Sequence, residues 1–248
     1  MKLSIITVVK NDKNNLLKSL RSIKLQNYKN FEYIIYDGMS NDGTRSIIKK
    51  YLNKNIKYIC KQDKNYYEGL NHAIKKAKGE YIGILNAGDT YFNSQVIKTI
   101  IKNILSKKCD LLFGNLIYVN NKNNYTRVWR HQIQKLNLIT ALKIASPTLF
   151  VKRKIALSYP YNTTHSISSD TDFNLHISQK RFKFIYLDQF LVLMQTGGMS
   201  TNPFLFIKKM KQDFLILKKY FGIFFILIYI YKLTIKISKF KFIKNKIA

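Results

Sequence analysis

The sequence predicts an α/β protein with a mostly parallel central sheet flanked by helices. Apolar, β-branched runs of five to seven residues alternate with segments whose apolar residues recur at helical spacing. Strands joined through helices of that length run parallel, with right-handed crossovers. The placement of aspartates fits the same picture. Three of the first four run ends carry one, and ligands on such sheets bind beyond the C-terminal strand ends.

The elements follow in order. Leu3 to Val9 is the first strand, and Asn11-Asp12 open a helix with Leu16, Leu17, Leu20 and Ile23 on one stripe. Phe31 to Tyr36 is the second strand and ends in Asp37-Gly38. Ser40-Asn41-Asp42-Gly43-Thr44 is a turn whose short polar side chains cap the next helix, carrying Ile47, Ile48 and Tyr51. Ile56 to Cys60 is the third strand. Glu68 to Lys78 reads as a helix closed by Gly79, and Tyr81 to Leu85 as a buried fourth strand. Beyond residue 109 the pattern changes: Leu111 to Val119 and Tyr125 to Arg130 form a hairpin across Asn120 to Asn124. The expected division is 1–110 as a nucleotide-binding half, 111–203 as the acceptor-binding and catalytic half, and 204–248 as a basic, aromatic, amphipathic helical tail.

Composition limits the function. The chain has 248 residues, with 43 basic against 13 acidic, a net charge of +30. That excess suits an anionic partner. Yet 37 of the basic residues are Lys, whereas base reading in nucleic acids favours the planar fork of Arg. A salt-sensitive nucleic-acid binder also leaves the ordered aspartates without a purpose, so no nucleic-acid partner is expected. Cys60 and Cys109 form no C-x-x-C pair, which argues against a zinc site or disulfide framework. The apolar start breaks at Lys10-Asn11-Asp12, too early for a secretory signal, and a cytoplasmic location is expected. In the tail, residues 204–248 carry eleven Lys against Asp213 alone. Tyr220 to Tyr231 is uncharged for twelve residues, short of the roughly 20 a spanning helix needs. A helix in the headgroup plane of an anionic membrane is expected, the alternative being a helix packed on the domain.

Neither G-x-G-x-x-G nor G-x-x-x-x-G-K-[ST] is present. The candidate chemistry is the row of polar residues at the strand ends. Asp37 can accept from ribose hydroxyls or a base N–H, or cap the turn at Gly38. Asp63 can meet a base edge or close a turn. In Asn86-Ala87-Gly88-Asp89 a hard divalent cation would find its carboxylate at Asp89, and the small residues admit a diphosphate; the same tetrapeptide also makes ordinary turns. Asp170 and Asp172 sit in a first helical turn, where the dipole favours them and where one can act as a general base. Gly197-Gly198-Met199-Ser200 is either a phosphate cradle, with Ser200 as extra donor, or a hinge. His72, His131, His165 and His176 have no metal-ligand spacing. A sugar nucleotidyltransferase would need an early glycine-rich loop, and Val8 to Asn15 holds no glycine.

In this order the segments resemble the inverting family-2 glycosyltransferases of GT-A fold, notably bacterial enzymes that build capsule, O-antigen and colanic-acid-like polysaccharides. The resemblance lies in Leu3 to Asn11, Tyr36 to Thr44, Asp63 to Ile74, Gly79 to Asp89, Ser169 to Phe173 and Gly197 to Ser200. It implies that Thr7, Val9 and Asp37 line a nucleoside pocket, with Asp63 near the base and Asn71 near the donor. It also implies that Asp89 is the metal-binding acid of a D-x-D-like motif, for Mn2+ or Mg2+, and that Asp170 is the general base. The implied partners are a UDP- or GDP-sugar, a growing glycan on a lipid diphosphate, and the inner face of the plasma membrane. Three positions depart from the pattern: Asn86 stands for the first acid, Ser169 for the Glu before the base, and Ser146-Pro147 for a His-Gln pair.

Overall fold

The computed structural model describes residues 2–120, 122, 124–198 and 203–238. Strand β1 (Leu3–Val9) is buried almost throughout, as a central parallel strand must be. Helix α1 (Lys13–Lys24) buries Leu16, Leu20 and Ile23 at i, i+4 and i+7. Then come β2 (Glu32–Asp37), α2 (Thr44–Tyr51), β3 (Ile56–Cys60) and α3 (Tyr66–Lys76). The carboxamide oxygen of Asn65 caps α3 by accepting from Tyr67 N and Glu68 N. The chain continues through β4 (Tyr81–Ile84), β5 (Thr90–Tyr91), α4 (Val96–Lys107), β6 (Leu111–Val119) and β7 (Tyr125–Trp129). It ends with α5 (Leu138–Ala141), β8 (Phe150–Lys152), α6 (Arg153–Ser158), α7 (Ser169–Ser178), β9 (Phe184–Gln195), α8 (Phe206–Phe221) and α9 (Phe225–Ser238).

Among the described residues the sheet runs β3-β2-β1-β4-β8-β6-β9-β5, with β7 paired to β6. The expected parallel block is β3-β2-β1-β4, in which Val9 lies opposite Asp37 and Asp37 opposite Cys60. This register brings the ends of three strands to one rim. Beyond β4 the sheet is mixed: β8 runs antiparallel between β4 and β6, and β9 returns parallel to β6. The expected hairpin is β6–β7. One core cluster gathers α1, α2 and α4 on one sheet face, and a second gathers α3, α6 and α7 on the other.

Helices α8 and α9 form a helical hairpin. In one straight helix Asp213 and Lys232 would stand ~28 Å apart at 1.5 Å per residue. Here they form an ion pair at 3.0 Å, and the Phe214 and Phe225 rings meet edge to face at 4.4 Å. The corner is Gly222, at φ 53°. Phe206–Ile235 has the length and mean hydropathy of a spanning helix. Folded at Gly222, its arms are only about 24 and 21 Å long, short of a ~30 Å hydrocarbon core. Ile216 and Leu217 pack on Ala141, Leu142 and Leu175, whereas Ile223, Phe224, Ile226, Leu227 and Ile230 are exposed. The tail therefore packs on the domain and still presents an apolar face. Residues 239–248 lie outside the described residues.

Candidate active site

The rim where β1, β2, β3 and β4 end forms one wall of a cleft of about 430 Å3. Val9 and Lys10 enter it from β1, Gly38 from β2, Asp63 and Lys64 from the loop after β3, and Asn86 and Asp89 from the loop after β4. The opposite wall carries Ser146, Pro147, Tyr161, Asp170, Gln195 and Gly198. Asp63, Asp89 and Asp170, far apart in sequence, thus face one space.

The loop after β4 is held from α1. Ser19 Oγ lies 3.0 Å from the Asn86 carbonyl and 2.9 Å from the Asp89 carbonyl, and it accepts from Gly88 N at 3.0 Å. Gly88 N also donates to Asn15 O, and its φ of 95° is one that few side chains tolerate. The bend turns Asp89 inward. Its Oδ1 accepts from Gln195 N at 3.0 Å and its Oδ2 from Asn86 Nδ2 at 3.1 Å. The other end of the Asn86 carboxamide, Oδ1, accepts from the Tyr66 hydroxyl at 2.6 Å. Asn86 therefore orients Asp89. Burial pushes the Asp89 carboxyl up to about 7, despite those two donors. It forms no ion pair with a basic side chain of the described residues.

Asp170 lies in the first turn of α7 and is partly exposed to the cleft. Its Oδ1 accepts from Thr171 N at 2.8 Å and its Oδ2 from Ser146 Oγ at 3.3 Å. The Tyr67 hydroxyl accepts from Asp170 N and donates to Ile167 O. Tyr66 meets Tyr67 edge to face, and Tyr67 stacks on Tyr161. Burial, then Tyr161, Asp89 and Asp170, drive the Tyr66 hydroxyl well above its usual range, so it stays protonated as a donor. On the other flank Asp63 accepts from the Tyr36 hydroxyl at 3.0 Å and contacts His72 Nδ1 at 2.9 Å.

Several expected site residues lie behind this wall. Thr7 is fully buried, tied to Tyr33 and the Leu85 carbonyl. Asp37 is also fully buried and accepts from Ser40 N and the Tyr58 hydroxyl, so the turn-capping alternative describes its contacts. Asn71 exchanges two hydrogen bonds with the backbone of Tyr161, at 2.8 and 3.0 Å, and so positions an aromatic of the opposite wall. Gly88 lies behind Asp89, whereas Val9, Asp63, Asn86 and Gly198 line the cleft. Gly197 has φ 99°. Ser200 lies outside the described residues. Asp172 points away, to Tyr220, Lys219 and Asn162. The sequence reading missed Ser19, Tyr66, Tyr67 and Gln195, and marked Ser146 only as a departure from the pattern of the resemblance. Ser19 had left one trace, as a hydroxyl on the apolar stripe of α1.

Among the described residues no three His, Cys, Asp or Glu side chains cluster to hold a metal ion. Within the cleft, Asp89 offers a buried carboxylate that forms no ion pair with a basic side chain of the described residues. A hard divalent cation that takes its remaining ligands from phosphate and water fits that donor set.

A nucleotide-diphospho-sugar transferase fold, with carboxylates at the parallel strand ends, defines the class of protein. Residues 4–170 match the Glycosyl transferase family 2 domain, and the chain belongs to that family. It is accordingly a glycosyltransferase. An uncharacterized glycosyltransferase of Methanocaldococcus jannaschii is 28% identical over 199 residues, which is 76% of this chain and 69% of that protein. The putative glycosyltransferase EpsE of Bacillus subtilis is 36% identical over 103 residues, 40% of this chain and 37% of its own length. The chain also spans only 29% of an uncharacterized glycosyltransferase of Rickettsia bellii. Among solved structures, S. aureus TarS 1–349 in complex with UDP-GlcNAc superposes with a TM-score of 0.73 at 19% identity, over 96% of this chain and 73% of that one. Mannosyltransferase PcManGT of Pyrobaculum calidifontis, in complex with GDP-Man and Mn2+, gives 0.68 at 12%, over 96% and 73%.

Proposed function

We propose that the protein transfers a sugar from a UDP- or GDP-sugar, with inversion, to a growing surface glycan of capsule or O-antigen type. The observation that carries this reading is the convergence of Asp63, Asp89 and Asp170 on one cleft at the parallel strand ends. Residues 1–110 hold the nucleotide, Asp63 reaching the base and Lys10 and Lys64 offering cations to the diphosphate. Asp89 would hold a divalent ion, Mn2+ or Mg2+, which neutralises charge on the departing diphosphate. Asp170 takes the proton of the acceptor hydroxyl, and attack opposite the leaving group inverts the anomeric carbon. Gly197 and Gly198 would offer their backbone as a cradle for the phosphates, with Ser200, outside the described residues, as the extra donor the sequence suggests. The acceptor is carried on a lipid diphosphate at the inner face of the plasma membrane; the support is the apolar, lysine-flanked hairpin α8–α9, which would hold the enzyme there peripherally.

The test is a panel of UDP- and GDP-sugars with Mn2+, read as release of UDP or GDP and as thermal stabilisation. One donor is expected to stand out, and silence across the panel would overturn the reading. Asp89→Asn is expected to lose the Mn2+-dependent stabilisation. Asp170→Asn is expected to keep it while turnover falls by ~10²–10⁴-fold.

A further inference from the structure

We infer that the C-terminal hairpin holds the catalytic base in place, with Gln212 as its chief positioning residue. The first N–H groups of a helix need acceptors from outside it, and the residue preceding α7, Ser168, supplies no side-chain cap. Gln212, buried on α8, holds the two residues that lead into the helix, while Asp170 N goes to the Tyr67 hydroxyl and Thr171 N to Asp170 Oδ1. Its Oε1 accepts from Ile167 N at 2.9 Å and from Ser168 N at 3.2 Å, and its Nε2 donates to Ser166 Oγ at 3.2 Å. These bonds end two residues before Asp170. Lys209 reaches Ser168 Oγ and Lys232 reaches Thr171 Oγ1, so both hairpin arms grip the segment. On the cleft side Tyr67 holds Ile167 O and Asp170 N. The base-bearing turn is thus clamped between an aromatic of the site and a helix of the tail, which gives the tail a part in turnover separate from any membrane.

This inference rests on Asp170 being the base, and a misplacement of about 1 Å can cost ~10²-fold in rate. The experiment compares Gln212→Leu, which keeps bulk and loses the acceptor, with Gln212→Glu, which keeps the acceptor. Release of UDP or GDP from the donor found in the panel, and binding of UDP and GDP with Mn2+, are measured on the full chain. Gln212→Leu is expected to lower kcat by ~10–100-fold with the donor KM and nucleotide binding unchanged. Gln212→Glu is expected to return to within about threefold of the parent. Tyr67→Phe, which removes only the opposing hydroxyl, is expected to act in the same direction should Gln212→Leu fold poorly. Full turnover in Gln212→Leu, or equal loss in the Leu and Glu variants, overturns the inference. Asp170→Asn run in parallel separates the two failures. If it is inactive while Gln212→Leu is fully active, only the clamp is wrong; if it turns over normally, the base assignment falls and the clamp with it.

Discussion

Asp89 carries two opposed demands. Its two donors, Gln195 N and Asn86 Nδ2, favour the ionised form, but burial outweighs them and lifts the carboxyl to about 7. A carboxyl near 3.9 when unfolded and near 7 when folded binds more protons in the native state between those values. Stability of the metal-free protein is therefore expected to fall as pH rises from about 4 to 7. Asp89→Asn, which cannot ionise, is expected to flatten that fall in urea titrations at several pH values; an unchanged slope would contradict the assignment. Mn2+ needs the ionised form, so its affinity in the presence of UDP is expected to rise up to about tenfold per pH unit towards 7 and then level off, as calorimetry would read. Asn86→Asp places a second carboxylate beside Oδ2. It is expected to lower the melting temperature at pH 8 through like-charge repulsion, with Mn2+ restoring part of the loss. Asp63 and Asp89 were legible in the sequence because each follows a strand, and Asp170 because it opens a helix. Thr7, Asp37 and Asn71 do not line the cleft, and the sequence does not mark this because a buried hydrogen-bonding residue and a ligand-binding one share the same spelling. Their partners, Tyr33, Tyr58 and the Tyr161 backbone, are fixed only by tertiary packing.

The helices and strands of residues 3–84 were readable from period alone, since each is amphipathic or uniformly apolar. The reasons for some of their ends were not. Gly79 reads as a helix stop, yet α3 ends at Lys76 and Gly79 serves a close approach. Its N–H donates to Ser4 Oγ, and a Cβ there would press on Ser4 N and lie 2.6 Å from the carbonyl carbon of Leu3. Backbone cannot swing aside as a side chain can, so Gly79→Ala is expected to cost about 1–3 kcal/mol in denaturant unfolding without touching the cleft. Asp172, which the sequence left as the alternative to Asp170, fastens α7 to α8. Burial opposes its ionised form, but bonds from Tyr220 and Lys219 prevail and hold it below the usual carboxylate range. A depressed carboxyl stabilises the fold above its unfolded pKa and loses that contribution as pH falls below about 4. Protection from hydrogen exchange across 206–235, corrected for the intrinsic rate at each pH, is therefore expected to fall in acid, and in Asp172→Asn at neutral pH, before protection in β1 changes. Simultaneous loss in both would mean that the hairpin is no separate unit.

The molecule as a whole joins a sheet whose parallel block was foreseeable to a second half that was not. The antiparallel insertion of β8 between β4 and β6 depends on long-range pairing that no local period encodes. Likewise the tail showed an uncharged run but hid the corner at Gly222, which turns one long apolar segment into two short arms. That corner separates two contributions to membrane binding. Lysines on a chain of net charge +30 are each worth ~1 kcal/mol near an anionic surface, and salt screens them. Ile223 and Phe224, 86% and 61% exposed, would contribute by burial at roughly 25 cal/mol per Å2, which salt does not weaken. On vesicles of phosphatidylglycerol and phosphatidylcholine, co-sedimentation is expected to fall on going from about 0.1 to about 0.5 M salt and to leave a salt-resistant remainder. Ile223→Ser combined with Phe224→Ser is expected to abolish that remainder while sparing the low-salt part. Both side chains face solvent, so the double variant should melt as the parent does. A remainder that survives the double substitution would place the membrane contact elsewhere than the corner, and no sedimentation at either salt would remove the membrane from the account.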